Sequence, residues 1–163
     1  ENCERIVAIA LGEGGRLITG GKRCQQPELS KGCFFEPTII ADTDETHTLF
    51  NEEVFGPVLC VAKADSFEHA IALQNHCEYG LSGSIYTKDV NKAWTAVREI
   101  QTGMCYVNAP TIGAEAHMPF GGVKGTGNGH REGGWTAFDI FTEWKTVYFD
   151  YSDKLQRAQI DNY

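Results

Sequence analysis

The sequence predicts a three-layer α/β fold, in which helices pack on a parallel β-sheet. Two features of the middle of the chain support this class. Three short apolar runs typical of strands alternate with two segments whose apolar residues recur at helical spacing. The links between them are short, so each helix should return the chain parallel to the preceding strand. The composition, 42% apolar and 22% charged, is that of an ordinary globular domain.

The first forty residues predict smaller elements. Apolar residues at helical spacing predict a helix over residues 4–11. A short strand is expected at 16–19, followed by a polar loop over 22–33. Residues 34–41 are strand-like, although Pro37 makes them an edge strand or a poor member of a ladder.

The central alternation is the clearest pattern. In chain order the expected elements are a strand at 58–62, a helix through about residue 75, a strand at 81–86, a second helix that Gly103 ends, and a strand at 104–107. Asp65 with Glu68 fits a capping box, and Asp89 can cap the second helix. Sites in parallel sheets form beyond the carboxyl ends of strands, so the loop over 108–118 is a candidate site.

The last third is glycine-rich and then aromatic. Residues 125–129 have no glycine three positions after Gly127 and follow no strand, so a glycine-shaped turn is favoured over a dinucleotide fingerprint. Residues 138–151 are β-prone and apolar on both faces, which predicts an edge strand that needs a partner. A polar tail follows over 152–163.

Composition limits the function classes. A net charge of −8 argues against nucleic acid and anionic membranes as partners. No apolar run approaches the length of a membrane span. The six cysteines form no metal-ligand spacing, so no metal is expected, and free thiols in a reducing, cytoplasmic compartment are favoured over disulfides. The first residue is not Met, and we expect the chain to be cut from a longer product.

Two acidic residues are candidates for chemistry. Glu53 and Phe55 would share one face of an extended segment, where a carboxylate could hold ribose hydroxyls beside an aromatic ring. The alternative is a surface glutamate with a core phenylalanine. Glu132, next to Arg131, is either a buried proton carrier or one half of a structural ion pair.

Five short blocks in fixed order give these residues a context. They are Glu-x-Phe-Gly-Pro at 53–57, Tyr79-Gly80-Leu81, Val107-Asn108, Pro119-Phe120-Gly121-Gly122 and Arg131-Glu132. In this order and spacing the chain resembles the C-terminal portion of an aldehyde dehydrogenase. The resemblance implies a fragment of that fold, with a partial catalytic domain at 1–139, an oligomerisation strand at 140–151 and a tail at 152–163.

The same resemblance implies an activity. Members of the family oxidise aldehydes with NAD or NADP through a thiohemiacetal on a cysteine, followed by hydride transfer and hydrolysis. The family's nucleophile block, general base and Rossmann-type core do not occur in these residues. The parent protein is therefore expected to be a homo-oligomeric enzyme, and this chain alone is expected to be inactive.

The resemblance also implies roles for individual residues, according to their positions in the matching blocks. The resemblance implies that Glu53 binds the ribose of the cofactor and that Phe55 contacts its nicotinamide side. It also implies that Phe120 lines the aldehyde pocket and that Glu132 relays protons. The substrate loop, with Asn108, Gly113 and Ala114, is most similar to the antiquitin-like α-aminoadipic semialdehyde dehydrogenases, from which it departs at Met118-Pro119. This predicts a substrate with a distal carboxylate. The alternatives are a non-enzymatic scaffold or interaction module, or an acyl-phosphate reductase of the same fold.

Overall fold

The computed structural model describes residues 1–29 and 31–154, which form five α-helices, seven short strands and one 3₁₀ turn. The helices are α1 (Asn2–Gly12), α2 (Thr48–Asn51), α3 (Phe67–His76), α4 (Val90–Glu99) and α5 (Thr136–Phe141). The strands are β1 (Arg16–Thr19), β2 (Thr38–Thr43), β3 (Val58–Ala62), β4 (Tyr79–Gly80), β5 (Ser82–Ile85), β6 (Met104–Val107) and β7 (Val123–Lys124), and the 3₁₀ turn is Pro27–Leu29.

One apolar cluster holds the N-terminal half together. Its buried members are Ile6, Val7, Ala10, Ile40, Leu49 and Val54. The first three lie one helical turn apart at most, so α1 turns a single face toward β2 and α2. Ile6 and Ile40 are fully buried, and burial of a side chain of this size stabilises the fold by about 1.5–3 kcal/mol. Because Val54 belongs to the same cluster, the segment after α2 is packed against α1.

The strands pair in three small sheets. In the first, with order β1-β2-β3, β2 and β3 are parallel and Thr38 lies opposite Val58. In the second, β5 and β6 are parallel, with Ser82 opposite Met104. In the third, β4 and β7 are antiparallel. Of the predicted parallel pairs, β5 with β6 is therefore present, but β3 and β5 are not neighbours in the described residues, so the expected continuous sheet is not formed there. A local pattern indicates that a segment is a strand without specifying its neighbour.

Most of the predicted elements are present, but several details differ. α4 ends at Glu99 and not at Gly103, because the backbone is already extended at Ile100, and α2 is an additional helix. The α3 cap is Ser66, whose hydroxyl accepts from the His69 amide at 3.0 Å, and not Asp65. The strand expected from residue 34 begins only at Thr38, where the ladder with β3 starts. Asp89 caps α4 as predicted, accepting from the Asn91 amide at 2.8 Å.

The C-terminal region differs most from the sequence-based expectation. Residues 136–141 form α5, so the first part of the predicted edge strand, including positions 140 and 141, is helical. Trp135 and Phe138, three residues apart, bring their rings to 5.8 Å across this turn, a contact that an extended chain does not allow. Residues 142–151 are exposed and join no strand ladder within the described residues. Beyond residue 154 the predicted tail lies outside the described residues.

Gly103 marks the closest approach between β6 and the glycine-rich turn. Its amide donates to the Gly80 carbonyl at 3.0 Å. A Cβ built on Gly103 would lie 1.7 Å from the Gly121 carbonyl oxygen. Real Cβ contacts are never this short, so only glycine fits. The contact places Phe120, which precedes Gly121, beside the start of β6. Within the described residues, no helix is long and apolar enough to cross a membrane.

Candidate functional site

The segment from Glu52 to Gly56, between α2 and β3, carries two of the predicted site residues. Glu53 is exposed, and 92% of the Phe55 side chain is exposed. A carboxylate and an aromatic ring are therefore both accessible within three residues of chain. A carboxylate accepts hydrogen bonds from ligand hydroxyls, and an aromatic ring packs on a flat heterocycle.

The backbone of this segment is not uniformly extended, which corrects the assumption that Glu53 and Phe55 share one face of a strand. Phe55 has a φ of 53°, in the left-handed region where a bulky residue is uncommon. The Glu53 carboxylate lies close enough to Tyr79 to influence the pKa of its phenol. The pKa of the Tyr79 phenol is raised chiefly by the Glu78 carboxylate and by burial, and the charge of Glu53 adds a smaller effect.

Residues of α1 hold this segment in place. The Asn2 side-chain amide donates to the Val54 carbonyl at 2.9 Å. Arg5 forms an ion pair with Glu52 and also donates to the Asn2 side-chain oxygen at 2.9 Å. The residues on both sides of Glu53 are thus tied to one helix, which is itself fixed by the buried cluster.

A second candidate site is a cleft of about 500 Å³ between β6 and the loop that follows it. Gly113, Ala114 and Phe120, predicted to bind substrate, line this cleft together. Arg131 lines it as well and forms no ion pair with any described residue. The structure therefore brings three of the four predicted substrate residues to one cavity, with a cation beside them.

The loop turns sharply at Gly113, where φ is 90°. The Tyr106 hydroxyl donates to the Gly113 carbonyl at 3.0 Å and fastens the turn to β6. The amide nitrogens of Gly113 and Ala114 donate to no acceptor in the described residues. Two backbone donors at the cleft are therefore available to a ligand, and backbone N–H groups of this kind bind anionic oxygens.

Asn108, the fourth predicted substrate residue, does not line this cleft. Its side chain pairs with both backbone groups of Thr87, accepting from the amide at 2.8 Å and donating to the carbonyl at 3.0 Å. Asn108 has a φ of 54° and begins the loop directly after β6. In this structure it fixes the direction in which the loop leaves the strand.

Glu132 lies next to Phe120. The two residues exchange backbone hydrogen bonds at 2.7 and 2.9 Å. Both line a further cleft of about 730 Å³ that the glycine-rich turn surrounds. Glu132 is exposed rather than buried, and it forms no ion pair with Arg131 among the described residues, so its role in proton relay stays a prediction.

Cys60 and Cys105 lie within strands, where burial disfavours the thiolate. Burial raises the pKa of the Cys105 thiol and of the Cys60 thiol. Thiolates are the reactive form, so a raised pKa lowers reactivity. Cys105 nevertheless lines the 500 Å³ cleft, which the sequence did not indicate, because a strand residue shows no sign of which face borders a cavity.

Buried His47 lies just before α2, at the base of the segment that bears Glu53. Its Nδ1 is 2.9 Å from a carboxylate oxygen of Asp44, and this contact is the main reason why the pKa of His47 is raised. Hydrogen bonds from Thr46, and secondly from His47, lower the pKa of Asp44 to about 2. The His47 Nε2 atom is buried with no partner in the described residues. Sequence reasoning missed this pair, since a lone histidine between two threonines carries no signal of burial.

Comparison with known proteins gives these clefts a context. The sequence model of the aldehyde dehydrogenase family matches residues 1–147. The betaine aldehyde dehydrogenase of Cereibacter sphaeroides is 41% identical over 148 residues, covering 89% of this chain and 29% of that protein. The α-ketoglutaric semialdehyde dehydrogenase of Bacillus subtilis is 34% identical over 148 residues, covering 91% and 30%. The chain thus spans about a third of the length of these curated relatives or slightly less.

Solved structures agree with the sequence relatives. The NAD⁺ complex of an aldehyde dehydrogenase from Mycobacterium tuberculosis matches with a TM-score of 0.82 and 36% identity, over 94% of this chain and 31% of that one. The NAD⁺ complex of betaine aldehyde dehydrogenase from Staphylococcus aureus gives 0.81 and 35%, over 86% and 27%. The fold described above is therefore a part of the α/β fold of these enzymes.

Proposed function

Because this chain belongs to the aldehyde dehydrogenase family, we propose that it forms the C-terminal portion of the catalytic domain of an NAD(P)-dependent enzyme that oxidises an aldehyde to an acid. The nucleophilic cysteine and the general base of that enzyme would come from outside these residues. Cys105, with its raised pKa, is a poor substitute for such a nucleophile. The proposed whole protein is a homo-oligomer in the cytoplasm.

The proposed cofactor site is the Glu53–Phe55 segment. When bound, NAD or NADP accepts the hydride that leaves the substrate. An exposed carboxylate at Glu53 fits the two hydroxyls of a ribose, and the exposed ring of Phe55 fits the nicotinamide side. Two related enzymes of similar fold were crystallised with NAD⁺. On the substrate side, Phe120 would line the aldehyde pocket, and Glu132 would relay protons.

The proposed substrate is a semialdehyde with a distal carboxylate, in the manner of the antiquitin-like branch. One observation carries this proposal: the Gly113 and Ala114 amides at the 500 Å³ cleft have no acceptor within the described residues. A carboxylate would satisfy both, and Arg131 in the same cleft would favour its charge. Relatives from Bacillus subtilis and Haloferax volcanii are named for α-ketoglutaric semialdehyde.

A second candidate is a cationic aldehyde, because Glu115 lines the same cleft and is exposed. Its carboxylate would attract a quaternary ammonium group, as in betaine aldehyde, and would oppose a carboxylate. Several relatives near 41% identity are named for betaine aldehyde.

The experiment is a comparison of kcat/KM in the full-length protein. The substrates are α-aminoadipic semialdehyde, α-ketoglutaric semialdehyde, betaine aldehyde and a neutral aldehyde of similar length. A site that hydrogen-bonds the carboxylate should favour an acidic semialdehyde over the neutral compound by about tenfold to a hundredfold, because a hydrogen bond to a charged group contributes about 1.5–3 kcal/mol. Equal values for the acidic and neutral compounds contradict the acidic substrate, and a preference for betaine aldehyde supports the cationic one.

The chain by itself is proposed to be inactive. The test is NADH production from any aldehyde by residues 1–163 alone, with Cys105→Ser as a control for adventitious thiol chemistry. Turnover that the Cys105→Ser variant loses would show that this fragment has its own nucleophile. The alternative of a non-enzymatic scaffold predicts that the full-length protein, too, oxidises no aldehyde.

A further inference from the structure

We propose that Asn2 and Arg5 of α1 are positioning residues that hold Glu53 and Phe55 in the geometry that receives the cofactor. The inference rests on the proposed function of these two residues. It gives α1 a role in ligand binding, which no pattern in the sequence indicated for this helix. Neither Asn2 nor Arg5 touches the cofactor in this proposal, since both act through the backbone and side chains of the segment 52–56.

The contacts between α1 and this segment fall on alternate residues of the segment. They join Arg5 to Glu52, Asn2 to the Val54 carbonyl, and Cys3 to Gly56. The last contact is close, because a Cβ on Gly56 would lie 2.3 Å from the Cys3 sulfur. The two residues between these attachment points are Glu53 and Phe55, which remain exposed. The attachments therefore fix the backbone while leaving the two candidate side chains accessible.

The conformation of Phe55 requires such support. A phenylalanine with a φ of 53° is in a sparsely populated region, and it persists only where the surrounding structure over-determines it. Here the carbonyl before Phe55 is held by Asn2, and the Cys3 sulfur packs close to the glycine after Phe55. Without these restraints the segment would relax toward commoner backbone angles and the ring would move.

Asn2 is the central residue of this arrangement because it uses both ends of its amide. Its nitrogen donates to the Val54 carbonyl at 2.9 Å, and its oxygen accepts from Arg5 at 2.9 Å. The Arg5–Glu52 pair alone would contribute little, since both side chains are more than 40% exposed. The network matters because α1 is anchored by Ile6 and Val7, so it presents fixed rather than mobile partners.

The test uses the full-length protein with Asn2→Ala, Asn2→Asp and Arg5→Ala. Asn2→Ala should raise the KM for NAD⁺, and equally the Kd for NAD⁺ measured by titration calorimetry without aldehyde, by about twofold to tenfold, the loss expected for one hydrogen bond. Asn2→Asp should raise it at least as much, because a carboxylate would face the Val54 carbonyl. The aldehyde KM should stay unchanged for all three. Arg16→Ala is the matched control. Arg16, on β1, also forms an exposed ion pair, with Asp42 at 2.6 Å, and this pair lies away from the segment.

The outcomes separate this inference from the proposed function. If the wild-type protein oxidises aldehydes and Glu53→Gln weakens NAD⁺ use, but all three α1 variants keep the wild-type KM for NAD⁺, the positioning role is wrong and the proposed function stands. If the wild-type protein oxidises no aldehyde with either NAD⁺ or NADP⁺, both fail. A rise in both KM values equal to that of Arg16→Ala would indicate general destabilisation and would also refute positioning.

Discussion

Glu53 is the residue whose proposed role is most directly testable. In the full-length protein, Glu53→Gln should cost about 1.5–3 kcal/mol of cofactor interaction, roughly tenfold to a hundredfold in cofactor KM or kcat, because a charged acceptor to ribose is lost. The measurement is steady-state kinetics with NAD⁺ and aldehyde both varied. Glu99→Gln on α4 serves as the control for loss of one exposed carboxylate. Wild-type values for both cofactor KM and kcat would exclude the role.

His47 should make stability depend on pH. Its pKa is raised in the folded state by Asp44, so its contribution is fully present below the unfolded pKa of 6.5 and is lost as the pH rises through the folded pKa. Asp44, with a pKa of about 2, stays ionised throughout this range. Urea unfolding of wild type and His47→Gln should therefore differ more at about pH 5.5 than at about pH 9. The same difference at both pH values would contradict this assignment.

At the residue scale the sequence located exposed chemistry better than buried chemistry. Glu53 is exposed, and Gly113, Ala114 and Phe120 line one cleft, while the binding roles that the resemblance implied for them stay predictions. The left-handed backbone of Phe55 could not be predicted from the charged and aromatic residues around it. Its φ depends on contacts with α1, which is distant in sequence.

Capping is the clearest determinant at the scale of single elements. Asp89→Ala should lower the free energy of unfolding by about 0.5–2 kcal/mol, since the Asn91 and Lys92 amides lose their acceptor. Asp89→Ser retains a capping oxygen and should recover most of the stability. The measurement is the urea midpoint of the three proteins. An Asp89→Ala protein as stable as Asp89→Ser would show that the cap contributes nothing.

Two elements show why local pattern is sufficient in one place and not in another. For α4, a cap and apolar spacing agree, and the helix starts as predicted after Asp89, although it ends at Glu99 and not at Gly103. For α5, the aromatic residues are β-prone, yet Thr136 donates to the Arg131 and Gly133 carbonyls at 3.1 and 2.9 Å, and this turn starts a helix. The propensity of a residue type was overridden by side-chain hydrogen bonds to a preceding glycine turn.

The whole molecule is proposed to assemble through the remaining part of the edge segment, residues 142–151. Trp144, Tyr148 and Phe149 are each at least 78% exposed, and an extended segment this apolar requires a partner in water. Val147→Lys with Phe149→Lys in the full-length protein should shift sedimentation toward smaller species or cause aggregation. Thr146→Lys adds charge without removing apolar area and is the control. An unchanged oligomer in the double variant counts against this segment.

The arrangement of strands was the least predictable property of the whole molecule. The sequence predicted parallel strands at 58–62, 81–86 and 104–107, and of these β5 and β6 pair in parallel, whereas the parallel pair of β2 with β3 is not one that the sequence indicated. It did not indicate that β3 and β5 are separated, because sheet order depends on packing between distant parts of the chain. The family and its fold were nevertheless identifiable, since five short blocks in order are more specific than any periodicity.

The contact between Gly103 and Gly121 has a practical meaning for anyone who wishes to change the specificity of this protein. A side chain at position 103 would push the Gly121 carbonyl aside and carry Phe120 with it, since a Cβ there would lie 1.7 Å from that oxygen. Libraries that randomise codons 111–118 can explore new substrate shapes only if codon 103 is left as glycine. In a deep mutational scan every non-glycine allele at position 103 should be depleted, whether the selection is for stability or for the proposed aldehyde oxidation.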